Sequence, residues 1–225
     1  MVVQKKNLKE ILSIILLVII SCISISIIET IIEPSYAIKS GLKICLFLFI
    51  PMLVMKILKI NIFDNFKLDK KNIFKLLILG IIIFTAVMLG YIFTKGIFNY
   101  ETLVESLKED QQVNSSDFLL IAIYISLCNS FIEEFLFRLI AFINLSKYVN
   151  KRIAYIFSSV IFALYHIGMI GKSFPLPLLI ISLFGLAIGG FIFDYVDDKN
   201  KNIYNSWFIH MFADIAIMVI WFIYI

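Results

Sequence analysis

Residues 11–28, 76–94 and 173–193 carry no charged side chain. Each run is long enough to cross a hydrocarbon core of about 30 Å as a helix. Extending the same pattern along the chain predicts seven spans, at about 10–30, 40–58, 76–95, 118–145, 153–170, 174–193 and 203–225. The second is interrupted by Lys43, Pro51 and Lys56. A membrane helix tolerates proline when its neighbours satisfy the freed carbonyl, and lysines near its ends can snorkel to the interface. The fold predicted is all-α, a polytopic transmembrane helix bundle of about seven spans, with six to eight as the range the interruptions allow. The first three spans and their loops form one unit, 1–117, and the remaining four a second, 118–225.

Charge between the spans predicts their direction. With a cytoplasmic N-terminus, the inner segments are 1–9, 56–75, 146–152 and 194–202, and they hold 14 of the 20 basic residues. The outer segments hold Lys39, Lys95, Lys108 and Lys172, and the 95–117 loop is acidic, with Glu101, Glu105, Glu109, Asp110 and Asp117. This is the positive-inside pattern repeated loop by loop. It predicts a multi-pass protein of the cell membrane, N-terminus in and C-terminus out. The basic run before the first span and Ser35-Tyr36-Ala37 loosely resemble a cleaved leader, but the apolar run is longer than a leader core, and a retained span is expected.

Composition changes the picture little. At 61% hydrophobic residues and a mean hydropathy of +0.99, the chain is far more apolar than soluble domains of this size. The net charge of +4 is accounted for by the loop asymmetry, so lipid bilayer and no nucleic acid is the expected surrounding. Cys22, Cys45 and Cys128 lie in apolar runs without a CxxC and are expected to be small core residues.

Three places in the second half break the apolar pattern. Glu133, Glu134 and Arg138 lie in the fourth span, His166 in the fifth, and His210 with Asp214 in the seventh; the two histidines are the only ones in the chain. An ionisable group at membrane depth is costly unless paired or hydrated, so each is a functional candidate. At about 1.5 Å rise per residue, Glu133, His166 and Asp214 lie roughly 16–20 Å from the cytoplasmic ends of their helices, and Arg138 and His210 near 10 Å. Overlapping depths predict one cluster. Glu134 and Arg138 are spaced i,i+4 and can pair. His210 and Asp214 share that spacing, so the carboxylate can hold one imidazole nitrogen. Glu133 is displaced by one position and is free to face a cavity. The plain alternative is polar glue between helices.

In family order, Glu133-Glu134-x-x-x-Arg138, Phe162-x-x-x-His166 and His210-x-x-x-Asp214 resemble the signature of the CAAX-protease and bacteriocin-processing (CPBP, or Abi) family of intramembrane endopeptidases. The resemblance covers residues about 118–225; the first three spans resemble only generic membrane helices. It implies a glutamate-dependent peptidase without metal or other cofactor. Glu133 with His166 would activate water, and His210 with Asp214 would stabilise the oxyanion. Glu134, Arg138 and Phe162 would organise the site. Better-understood members carry Asn at the position of Asp214, and an ionised Asp cannot donate to an oxyanion.

Rival readings remain at this level. His166, His210 and a carboxylate could bind zinc as a metallopeptidase, although no His-Glu-x-x-His helix is present. A non-catalytic regulator or bacteriocin-immunity protein, acting on a partner membrane protein, is the alternative of another class. A transporter would call for inverted repeats of broken spans, which the sequence does not display. The Ile-, Lys-, Phe- and Asn-rich composition fits an AT-rich bacterial genome. A peptide precursor or small membrane protein is therefore the expected substrate.

Overall fold

The computed structural model describes residues 2–66 and 73–225, with all side chains among them except those of 2–7, 115 and 200. Lys67, Lys70 and Lys71 of the basic 56–75 loop, and the side chains of Lys5 and Lys6, lie outside the described residues. No strand occurs among the described residues, and seven helices there are long and apolar enough to cross a membrane.

We number the helices in chain order. α1 runs from Val2 to Ile27 and continues in a π-helical turn to Ile32. α2 spans Tyr36–Ile57, α3 Ile73–Thr94, α4 Tyr100–Gln111 and α5 Phe118–Lys147. α6 covers Lys151–Tyr165, with a short extension Ile167–Ile170. α7 covers Leu176–Asn200 and α8 Ile203–Ile223. Asn99, Asn150 and Asn202 cap α4, α6 and α8, each side-chain oxygen accepting a first-turn amide.

The lipid-facing residues of α1 show the logic of the bundle. Leu12, Leu16, Ile20 and Ile23 are exposed on one side, while Ile14, Val18, Cys22 and Ile25 are buried on the other. Both faces are apolar, because lipid tails and helix neighbours are equally oily. α5 is the central column: from Ile132 to Leu145 every residue is buried, and it touches α1, α2, α6, α7 and α8. α3 packs along α8 at the periphery. Small residues set these approaches. A Cβ on Gly80 of α3 would lie 2.6 Å from the Phe212 ring of α8, and one on Gly190 of α7 would lie 3.0 Å from the Ser159 backbone of α6.

Pro51 shows how a break is absorbed. Residues Cys45–Phe49 just before it form a π-helical turn, and Ser21 Oγ of α1 donates to the Leu46 carbonyl at 3.0 Å. In π register that carbonyl is the one the missing proline N–H would have met. The neighbouring helix therefore satisfies the freed acceptor.

Several expectations need correction. Lys43 does not snorkel: it is buried and points into the bundle. The 95–117 segment is not a plain loop, since α4 buries Leu103 and Val104 there. Val104, with Leu107, packs on Phe118, Met218 and Trp221. Nor is 194–202 a loop, because α7 continues to Asn200 and buries Asp194 and Asp197 on the way. Asp197 accepts from the backbone and hydroxyl of Ser206 at 3.0 and 2.7 Å, so a carboxylate sits at the α8 N-terminus. Cys22 is a core residue, but Cys45 and Cys128 are exposed on the outside of the bundle.

Candidate active site

The ionisable residues of the second half form one buried network around α5. Two four-residue steps, Asn129 to Glu133 and Glu134 to Arg138, set its two sides around the α-helical turn Ser130–Glu134, which lies between the π-helical stretches Tyr124–Asn129 and Phe135–Asn144. π-helical segments inside α-helices are frequent at functional sites, because they re-aim the side chains that follow. Asn129 and Glu133 share one face, where Asn129 Nδ2 donates to Glu133 Oε1 at 2.7 Å. Glu134 and Arg138 share the adjacent face, where Arg138 Nε donates to Glu134 Oε2 at 3.1 Å.

Glu133 is 1% exposed and is not free to face a cavity as its spacing suggested. Its Oε1 accepts from Lys43 Nζ of α2 at 2.7 Å, from Asn129 Nδ2, and from the hydroxyl of Tyr165 on α6. Lys43 also donates to Asn129 Oδ1 at 2.6 Å and to Tyr165 Oη at 3.2 Å, so all three ammonium protons have acceptors. Its ammonium lies over the rings of Phe47 and Tyr165, 5.5 and 5.2 Å from their centroids. Glu133 Oε2 takes part in none of these bonds and lies 3.8 Å from His210 Nε2.

His210 is held by Glu134. Its Nδ1 lies 2.8 Å from Glu134 Oε1, which fixes the proton on Nδ1 because a carboxylate only accepts. Nε2 lies 3.6 Å from Asp214 Oδ1, too far for a hydrogen bond, so Asp214 does not perform the orienting task its spacing allowed. Asp214 Oδ2 is buried without a hydrogen-bond partner. The second histidine, His166, ends α6. Its Nδ1 lies 2.7 Å from the Phe162 carbonyl, which leaves Nε2 as the open nitrogen. No hydrogen bond joins His166 to Glu133, although its ring packs against that of Tyr165, Glu133's partner, at 4.2 Å between centroids.

Arg138 has no exposed surface and anchors the inner side. Nη1 donates to Ser158 Oγ at 3.1 Å and lies 3.7 Å from Asp194 Oδ1. The guanidinium stacks on Phe162 at 4.5 Å and Phe193 at 5.3 Å. Phe162 also meets both imidazoles, His166 at 4.9 Å and His210 at 5.7 Å between centroids. A single ring therefore separates and aligns the arginine and the two histidines. Among the described residues, no group of three or more His, Cys, Asp or Glu side chains stands at metal-binding spacing.

Residues 115–216 match the model of a protein family described as type II CAAX prenyl endopeptidase Rce1-like. That segment belongs to the CPBP family. The chain matches no curated protein and no solved structure. The seven apolar helices, together with this match over residues 115–216, fit a multi-pass membrane protein with a segment of CAAX-protease type.

The CPBP segment contains every residue singled out from the sequence. The structure gathers Glu133, Glu134, Arg138, His210 and Asp214 directly, with Phe162 between them and His166 alongside. Sequence reasoning missed Lys43, Asn129, Tyr165, Ser158 and Asp194. Lys43 had a signal, since a lysine inside an apolar span needs a partner at depth. Asp194 had a weaker one, falling at the first residue after an uncharged run. The other three are ordinary polar residues of membrane helices, and nothing in their spacing marks them.

Proposed function

We propose that this protein is a glutamate-dependent intramembrane endopeptidase that cleaves a membrane-associated peptide or small membrane protein, with no metal or other cofactor. The observation that carries the proposal is the division of labour within Glu133. One oxygen is saturated by three donors, and the other points toward His210 with no bond of its own. A carboxylate held in this way keeps one fixed lone-pair face for a water molecule.

In this reading, Glu133 Oε2 takes a proton from water as the hydroxide oxygen attacks the scissile carbonyl carbon. His166 approaches the same water through Nε2. The developing oxyanion is met by Nε2–H of His210 in its imidazolium form, whose other proton, on Nδ1, is held by Glu134, and by a protonated Asp214. Collapse breaks the C–N bond, and the proton on Glu133 passes to the leaving amine. Arg138 and Phe162 take no part in bond making; they hold Glu134 and both imidazoles in place. The Rce1-like match over residues 115–216 supports a peptidase of this type.

The loop charges support an N-terminus in the cytoplasm and a C-terminus outside. In that orientation α4 covers the outer end of the bundle. Its C-terminus is tied there by Lys39 Nζ, which donates to the Asp110 carbonyl at 2.9 Å and pairs with Glu29 at 3.1 Å. The function is tested by comparing the membrane peptidome of cells carrying the wild type or Glu133→Ala at equal protein level. Fragments ending at a common site are expected only with the wild type. Identical peptidomes would overturn the proposal.

A further inference from the structure

We propose that Lys43, which lies outside the family-matched segment, is a positioning residue for the general base, keeping Glu133 ionised and turning one of its oxygens to the water. The inference rests on the peptidase reading for its kinetic arm alone. Lys43 stands on α2, 72 residues before the first residue of the 115–216 match. It is 5% exposed, and it donates to Glu133 Oε1, Asn129 Oδ1 and Tyr165 Oη with its three protons.

The need for such a cation follows from the charges around the base. The titratable and charged groups facing Glu133 are Lys43 from α2, Cys22 from α1, and Tyr165 and His166 from α6. His210 and Asp214 face it from α8, and Glu134 and Tyr124 accompany it on α5. Among the described residues, Lys43 is the one permanent cation in contact with it, because the guanidinium of Arg138 is spent on Glu134 and Asp194. A lone carboxylate in a dry interior takes up a proton instead of staying charged. A protonated Glu133 cannot accept a proton from water.

Geometry adds a second effect. With Lys43, Asn129 and Tyr165 all on Oε1, the carboxylate cannot rotate, and Oε2 stays toward His210. Asn129 and Tyr165 alone would leave two neutral donors on that oxygen. All three bonds to the ionised carboxylate are charge-assisted, but only Lys43 brings a full opposite charge to that oxygen, so Lys43 dominates the clamp.

The test compares wild type, Lys43→Met, Lys43→Arg and the double variant Lys43→Met with Glu133→Gln, each purified in detergent and checked for equal thermal stability. Infrared difference spectra at neutral pH need no substrate. Lys43→Met is expected to gain a neutral-carboxyl band that the added Glu133→Gln removes, and Lys43→Arg is expected to lack it. On the peptide found by the peptidome comparison, Lys43→Met should lose roughly 10²-fold or more in kcat, the usual worth of a general base, with KM unchanged. Raising the pH should restore part of that loss, and Lys43→Arg should retain most activity. A merely structural lysine would move neither the band nor the pH profile. Absence of a band sensitive to Glu133→Gln in Lys43→Met overturns the proposal, whether or not any peptide is cleaved. Wild-type turnover by Lys43→Met overturns it as well.

Discussion

Replacing Arg138 with methionine would test the inner half of the site. Methionine keeps the length and the contacts with Phe162 and Phe193 but removes the charge and all five N–H groups, of which those on Nε and Nη1 face partners. Two carboxylates, Glu134 at 3.1 Å and Asp194 at 3.7 Å, lose their cation in a place with no exposed surface. Removing one partner of a buried pair costs about 3–5 kcal/mol, because the other charge is stranded. Three features pull the value toward the lower end. Glu134 keeps His210, Asp194 keeps the Ser158 and Ser159 hydroxyls at 3.0 and 3.1 Å, and Nη2 of Arg138 has no partner to lose. For a chain of this size, 1 kcal/mol is worth roughly 2–4 °C in Tm. The expected drop is therefore about 6–12 °C for a cost of ~3 kcal/mol. Thermal unfolding followed by circular dichroism in detergent reads it. The triple variant Arg138→Met, Glu134→Gln, Asp194→Asn should recover more than half of the loss, since no charge is then left unpaired. A single variant melting within about 2 °C of wild type would refute the account of Arg138 as the charge anchor.

Two further outcomes follow from the same geometry. Asp214 lies 3.6 Å from His210 Nε2 and does not orient the ring, so Asp214→Asn should keep or raise peptidase activity and hold it to higher pH than wild type. A pH–rate comparison decides this, and a large loss at every pH would make Asp214 the charge partner of His210 instead. In a cysteine-free background, Glu109→Cys on the exposed face of α4 should react with a membrane-impermeant thiol reagent in intact cells, and Lys199→Cys should not. The opposite labelling would reverse the assigned orientation.

The positions of the spans were legible because a helix in lipid must stay apolar for its whole crossing, and any charge in it stands out. The same contrast exposed Glu133, Glu134, Arg138, His166, His210 and Asp214, and rise per residue brought them to similar depth. Lateral arrangement was not legible. A soluble helix advertises its buried face by polarity, but α1 is apolar toward both lipid and protein, with Leu16 exposed and Val18 buried. Nothing in such a pattern says which way a helix is rotated or which neighbour it meets. Rotation decided that Lys43 turns inward onto Glu133 and not out to the headgroups, and that Tyr165 shares the same oxygen. It also decided that His210 is held by Glu134, 76 residues away, and not by Asp214 one turn along its own helix. Helix spacing fixes which partners are within reach along one strand of backbone. Only the packing of α2, α6 and α8 around α5 selects among partners on different helices, because a buried polar group takes whichever satisfied geometry the neighbouring surfaces bring to it.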